Sequence, residues 1–169
     1  VMHAGTEEAV FGRDKIRVRI LIKVDLSKVK DVCRVGIPHQ LDAIVIDAPC
    51  TATGTLRRHP EVIWHRTQKD VQHLQKLQRQ MIARAVDLLV AGGQLVFCTC
   101  SLQVEEGEAQ AEWIGAKFRH LTPEPIIPEQ VSGFADSISP QGWFRTHPGI
   151  SLPKGGKTDG FFAARFRRG

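Results

Sequence analysis

No apolar run in the 169 residues approaches the roughly 20 that span a bilayer, so a membrane-spanning helix is not expected. Residues 1–8 carry neither a basic n-region nor an apolar h-region, so no secretory signal is expected either. Cysteine is sparse: Cys33, Cys50, Cys98 and Cys100 are the four. None is spaced Cys-x-x-Cys and no His-x-x-x-His accompanies them, which argues against zinc or another metal. Free thiols in a reducing, cytoplasmic compartment are the expectation. Internal repeats and low-complexity tracts are absent, which excludes a repeat array. What remains is ordinary globular material, 42% hydrophobic and 24% charged. The length suits about one domain, able to bury roughly 70% of its unfolded surface.

Charge is unevenly placed within a net of +5. Residues 56–84 hold seven basic and two acidic side chains, and residues 145–169 hold six and one. Residues 101–130, between them, hold six acidic and two basic. Two basic stretches converging on one face would suit a phosphate backbone, and a solvated surface explains them equally well.

Hydrophobic periodicity predicts an α/β chain. Residues 16–24 are rich in β-branched side chains and read as a strand ending at Asp25. Residues 26–40 are mixed, with a short helix at most. Residues 41–46 are nearly continuous apolar, the pattern of a strand buried on both faces. Thr67, with Asp70 three residues on, is a plausible N-cap for a helix. Its stripe is Val71, Leu74, Leu77, Met81, Ala85 and Leu88, and Gly92-Gly93 supplies a stop. Residues 94–99 read as a second buried strand. Ser101 can cap a helix over residues 103–118, whose early glutamates favour the positive end of its dipole. A proline- and glycine-rich loop follows, then strands at 143–146 and 161–167. Strand–helix alternation predicts a Rossmann-like sheet with helices on both faces, binding ligands beyond the carboxyl ends of its strands.

Two strand ends carry chemistry-bearing residues, Asp47-Ala48-Pro49-Cys50 and Cys98-Thr99-Cys100-Ser101. In a parallel sheet both lie at the ligand edge, so a carboxylate and two thiols converge. A thiolate is a strong nucleophile once its pKa is lowered. Cysteine is also a common small core residue, the expected role of Cys33 and Cys98, and that reading stays open for Cys50 or Cys100 taken singly. A thiol redox protein is a poor alternative, because Cys98 and Cys100 flank one strand residue and would strain a disulfide.

The stretch Asp47-Ala48-Pro49-Cys50-Thr51-Ala52-Thr53-Gly54-Thr55, followed by Arg57-Arg58-His59-Pro60, resembles the Nop/Sun family of RNA (cytosine-5)-methyltransferases, and within it the bacterial ribosomal-RNA members. So do Thr99-Cys100-Ser101 with Glu105-Glu106 just after, and the closing Asp159-Gly160-Phe161-Phe162-Ala163-Ala164-Arg165. The resemblance covers roughly residues 41–168. It implies a class I methyltransferase fold with S-adenosylmethionine as cofactor and ribosomal RNA as partner. By the same resemblance Cys100 is the nucleophile that attacks C6 of a cytosine. Cys50 assists release of the methylated base, and Asp47 bonds the ring edge near N3. Asp25, Asp47, Ala48 and Pro49 fall at the cofactor positions. Arg57, Arg58 and His59, beside the site, could hold RNA phosphates, or simply form an exposed loop.

The family's Ala-Pro-Gly-Gly-Lys-Thr-type cofactor loop has no counterpart before residue 41. Gly155-Gly156-Lys157-Thr158 has similar letters but reads as a hairpin turn. The expectation is therefore an atypical segment over 1–40 and a catalytic part over 41–169, truncated in its N-terminal half, with weak or absent cofactor binding by this chain alone. The alternative function is a non-catalytic RNA-binding scaffold.

Overall fold

The computed structural model describes residues 21–23, 41–150 and 156–169. The expectations for Asp25 and Cys33 lie outside the described residues, as does most of the strand placed at 16–24. Its described part is β1, Leu21–Lys23.

The apolar run after residue 40 forms β2, Leu41–Asp47. Helix α1, Gln68–Leu88, connects it to β3, Leu89–Thr99. Strands β1, β2 and β3 pair in parallel, with Ile44 opposite Leu95 and Ile46 opposite Phe97. After β3 come helix α2, Glu108–Lys117, and three shorter or later strands: β4, Leu121–Pro123, β5, Phe144–Thr146, and β6, Phe161–Arg168. Strand β6 runs antiparallel to β3, and β4 and β5 share its other edge. The sheet order is β1-β2-β3-β6-β4, with β5 beside β6.

Helix α1 starts as its sequence dictates. The Thr67 side chain accepts from the Asp70 amide and the Asp70 carboxylate accepts from the Thr67 amide at 2.8 Å, a full capping box. All six stripe residues from Val71 to Leu88 are buried, together with Ile82 and Val86. The stop is different from the one expected. The helix passes directly into β3 at Leu89, and Gly92-Gly93 lies inside that strand. Leu41 pairs with Leu89 but Ala43 with Gln94, so extra residues loop out of register between them. Gly92 takes φ 76° there, a backbone shape that glycine adopts without strain.

The second helix is also corrected. Ser101 Oγ accepts from the Gln103 amide at 3.0 Å and so caps a 3-10 turn, Val104–Glu106, rather than a long helix. Helix α2 begins only at Glu108, after Gly107. Both α-helices among the described residues lie on one face of the sheet, joined by a 2.7 Å hydrogen bond from Gln110 to Gln78. Beneath them Ile44, Ile46, Leu95, Phe97, Phe162, Ala164 and Phe166 form the core. Each fully buried large apolar side chain contributes roughly 1.5–3 kcal/mol. No described helix is long and apolar enough to cross a membrane.

Candidate active site

The register of β2 and β3 decides what meets at the carboxyl edge. Asp47 stands opposite Cys98, and the Ala48 amide donates to the Cys98 carbonyl at 2.9 Å. The two strand ends that carry Asp47-Ala48-Pro49-Cys50 and Cys98-Thr99-Cys100-Ser101 therefore leave the sheet side by side.

The turn after Cys50 folds back onto Cys100. Ala52 adopts a left-handed conformation, φ 58°, which costs a non-glycine residue roughly 1–3 kcal/mol and is typical of functional turns. Beyond it, the Gly54 amide donates to the Cys100 carbonyl at 2.8 Å. A Cβ at Gly54 would lie 2.5 Å from that carbonyl, so only glycine permits the approach. The outcome is a thiol pair with Cys50 Sγ and Cys100 Sγ 3.4 Å apart.

The pair divides one charge. The hydrogen bond from the Cys50 thiol holds Cys100 down to about 7, against opposing pushes from burial and from the Asp47 carboxylate. The same bond, with burial, pushes Cys50 well above the thiol range. Together they titrate as a unit in which Cys100 is the thiolate and Cys50 keeps its proton. Cys98 is separate: buried, bonded to the Ile46 carbonyl at 3.3 Å, and pushed up to about 12 by desolvation and Asp47. That is the structural role expected for it.

A buried polar network surrounds the pair. The Glu106 carboxylate accepts from the Thr51 amide at 3.1 Å, from the Thr51 hydroxyl at 2.5 Å and from Gln78 Nε2 at 3.2 Å. Ser101 Oγ lies 3.1 Å from Thr51 Oγ1. Thr51, Gln78, Ser101, Glu106 and Gln110 are all fully buried. Composition placed Glu105 and Glu106 at a helix start facing the dipole; burial of Glu106 is what that reading missed. The detectable signal was only its place in the motif. Glu108 does open α2, but it pairs bidentately with Arg145, whose Nη1 also donates to the Ser101 carbonyl at 2.6 Å.

Asp47, Ala48 and Pro49 sit together at the end of β2, with Ala48 buried and the Asp47 side chain exposed. Arg57 and Arg58 both pair with Asp159, Arg57 at 3.0 Å, while His59 meets Glu61 at 3.2 Å. They remain half-exposed beside the thiol turn. Sequence reasoning overlooked Trp64, which ends a 3-10 turn at Pro60–Trp64 and is 84% exposed, next to an exposed Ile63. Gly156, Lys157 and Thr158 lie in the connection between antiparallel β5 and β6, away from any cofactor position, as a hairpin reading requires.

A family model, 16S rRNA methyltransferase RsmB/F, matches residues 10–167. Ribosomal RNA small subunit methyltransferase B of Salmonella arizonae is 37% identical over 126 residues, 75% of this chain and 26% of that protein. The protein of the same name from Salmonella paratyphi B is 36% identical over the same span. The chain thus spans about a quarter of the length of these curated relatives. Among solved structures, NSun6 from Pyrococcus horikoshii with SFG superimposes with a TM-score of 0.62 at 29% identity, over 88% of this chain and 34% of that one. The structure of PH0851 gives a TM-score of 0.65 at 29% identity, over 75% and 26%.

Proposed function

Because the chain belongs to the 16S rRNA methyltransferase RsmB/F family, we propose that its thiol pair carries transfer of a methyl group to C5 of a cytosine in ribosomal RNA. The observation that supports this most is the Cys50–Cys100 contact of 3.4 Å at the carboxyl edge of the sheet, with the acidic thiol on Cys100.

C5 of cytosine is unreactive while the 5,6 double bond is intact, so a nucleophile must first saturate it. The target base leaves its stack to reach the half-buried thiols. The Cys100 thiolate forms a bond to C6, and the displaced electron pair spreads over C5 and the N3 edge. Asp47, at the same strand end, is placed to bond that edge and steady the charge. S-adenosylmethionine, when bound, supplies an activated methyl group to C5. Once its sulfur is bonded to carbon, Cys100 no longer holds a negative charge against Cys50. Cys50 then ionises more readily and can take the proton from C5. Loss of that proton re-forms the double bond and expels Cys100 as thiolate.

The described residues fit the cofactor on one side. The exposed Asp47 carboxylate, with Ala48 and Pro49, suits a cationic sulfonium and ammonium ligand, and it lies where ligands of such sheets bind. Arg57, Arg58 and His59 supply phosphate contacts beside the site, and exposed Trp64 offers a face on which a flanking base can stack.

Incorporation of labelled methyl groups from S-adenosylmethionine into small-subunit ribosomal RNA tests the proposal. Cys100→Ser should reduce it to background, while Cys98→Ala should keep it. Full incorporation by Cys100→Ser would overturn the assignment.

A further inference from the structure

Each cysteine of the pair sits between two residues that are held by buried side chains, and Glu106 is common to both. On one side of Cys50, the Pro49 carbonyl accepts from Gln78 Nε2 at 2.9 Å. On the other, the Thr51 amide donates to the Glu106 carboxylate at 3.1 Å. On one side of Cys100, Thr99 Oγ1 donates to the Glu106 carbonyl at 3.3 Å. On the other, Ser101 Oγ contacts the Thr51 hydroxyl that Glu106 itself holds. Gln78 is fixed in turn, since its Nε2 also donates to Glu106 and its Oε1 accepts from Gln110.

We infer that Glu106 is a positioning residue that clamps the Pro49–Thr51 turn against the Cys100 loop and so sets the contact between the two thiols. It touches neither sulfur. Its consequence for methyl transfer rests on the function proposed above, whereas the clamp itself concerns only the thiol geometry.

A carboxylate suits this task because it only accepts. Three donors, the Thr51 amide, the Thr51 hydroxyl and Gln78 Nε2, converge on one buried group. Packing alone would not require a buried charge, which is costly unless so bonded. Nor does the charge itself make Cys100 acidic. Negative charge on Glu106 and on Asp47 opposes ionisation of Cys100, and only the Cys50 hydrogen bond and a backbone hydrogen bond favour it. A clamp and a simple electrostatic neighbour therefore act on Cys100 in opposite directions.

The test is the pH midpoint of Cys100 alkylation by iodoacetamide in the 169-residue chain, with each cysteine resolved by peptide mass mapping. Neither RNA nor methyl donor is present. Glu106→Ala should release the turn and raise the midpoint from about 7 towards the ~8.5 of a free thiol. Glu106→Gln can still accept from the Thr51 amide and from Gln78, so its midpoint should stay at or below the parent value. A midpoint that stays or falls in Glu106→Ala would overturn the clamp. If that variant does not fold, Thr51→Val removes the shared hydroxyl and should raise the midpoint by a smaller amount; an unchanged midpoint there overturns the clamp too. A raised midpoint in a protein that forms no RNA adduct would uphold the clamp and sink the proposed function instead.

Discussion

Gly54 and Gly160 lie in direct backbone contact, with the Gly160 amide donating to the Gly54 carbonyl at 2.8 Å. A Cβ on Gly54 would collide with the Gly160 carbonyl and with the Cys100 carbonyl. The contact brings together three segments far apart in the chain: the turn after Cys50, the loop after β3 and the start of β6. Gly54→Ala should therefore do more than lower stability. Overpacking of this kind typically costs roughly 1–3 kcal/mol, and here it also pushes the two thiol loops apart. Thermal denaturation should show the loss, and Cys100 alkylation should slow at pH 7 while Cys98 remains unmodified. Unchanged alkylation of Cys100 would show that the glycine contact does not govern the pair.

The three described cysteines should differ sharply in reactivity. Cys100, held to about 7, gains thiolate as pH rises through that value and levels off above it. Cys98, pushed up to about 12, stays protonated throughout the neutral range. Alkylation followed by peptide mapping between pH 5.5 and 9 (a range of roughly two decades of proton activity either side of 7) should label Cys100 first and leave Cys98 intact. Equal labelling of the two would contradict the assigned environments. Cys50→Ala removes the hydrogen bond that favours the Cys100 thiolate, so the Cys100 midpoint should rise in that variant.

Local signals made much of this fold legible. The capping box at Thr67 and Asp70, the buried stripe of α1 and the apolar run of β2 each specify their element from neighbouring residues. Those elements in turn put Asp47 and the Cys100 loop at one edge, so the thiol pair was readable before any coordinates. Three features were not. A Gly-Gly pair ends a helix or loops out of a strand equally well, and the pairing of Leu41 with Leu89 decides between them here. Glu106 is polar and follows a strand, as a solvated helix start would. Its burial follows from Thr51, 55 residues away in the chain. Arg57 and Arg58 read as free cations, yet Asp159 reaches back from just before β6 to neutralise part of their charge.

That last pairing predicts a gain on substitution. Asp159→Asn leaves the Arg57 and Arg58 guanidinium groups without their carboxylate. Affinity for ribosomal RNA should rise at low salt, and binding should become more salt-sensitive. Replacing either arginine by alanine should weaken binding and reduce the salt slope by about 1 if it neutralises one phosphate. Titration at several salt concentrations reads both effects. Weaker binding by Asp159→Asn in a folded protein would remove these arginines from the RNA surface.

The covalent step is the centre of the account, and trapping it is the most direct test. In Cys50→Ala the base for the C5 proton is missing, so the Cys100–C6 bond should persist after methyl transfer. Incubated with small-subunit ribosomal RNA and S-adenosylmethionine, that variant should accumulate a protein–RNA adduct stable to denaturing electrophoresis. The cross-link should map to the Cys100 peptide and vanish when Cys100 is also replaced. Absence of the adduct from a folded variant that still binds RNA and S-adenosylmethionine, or a cross-link at any residue other than Cys100, would contradict the two-cysteine mechanism.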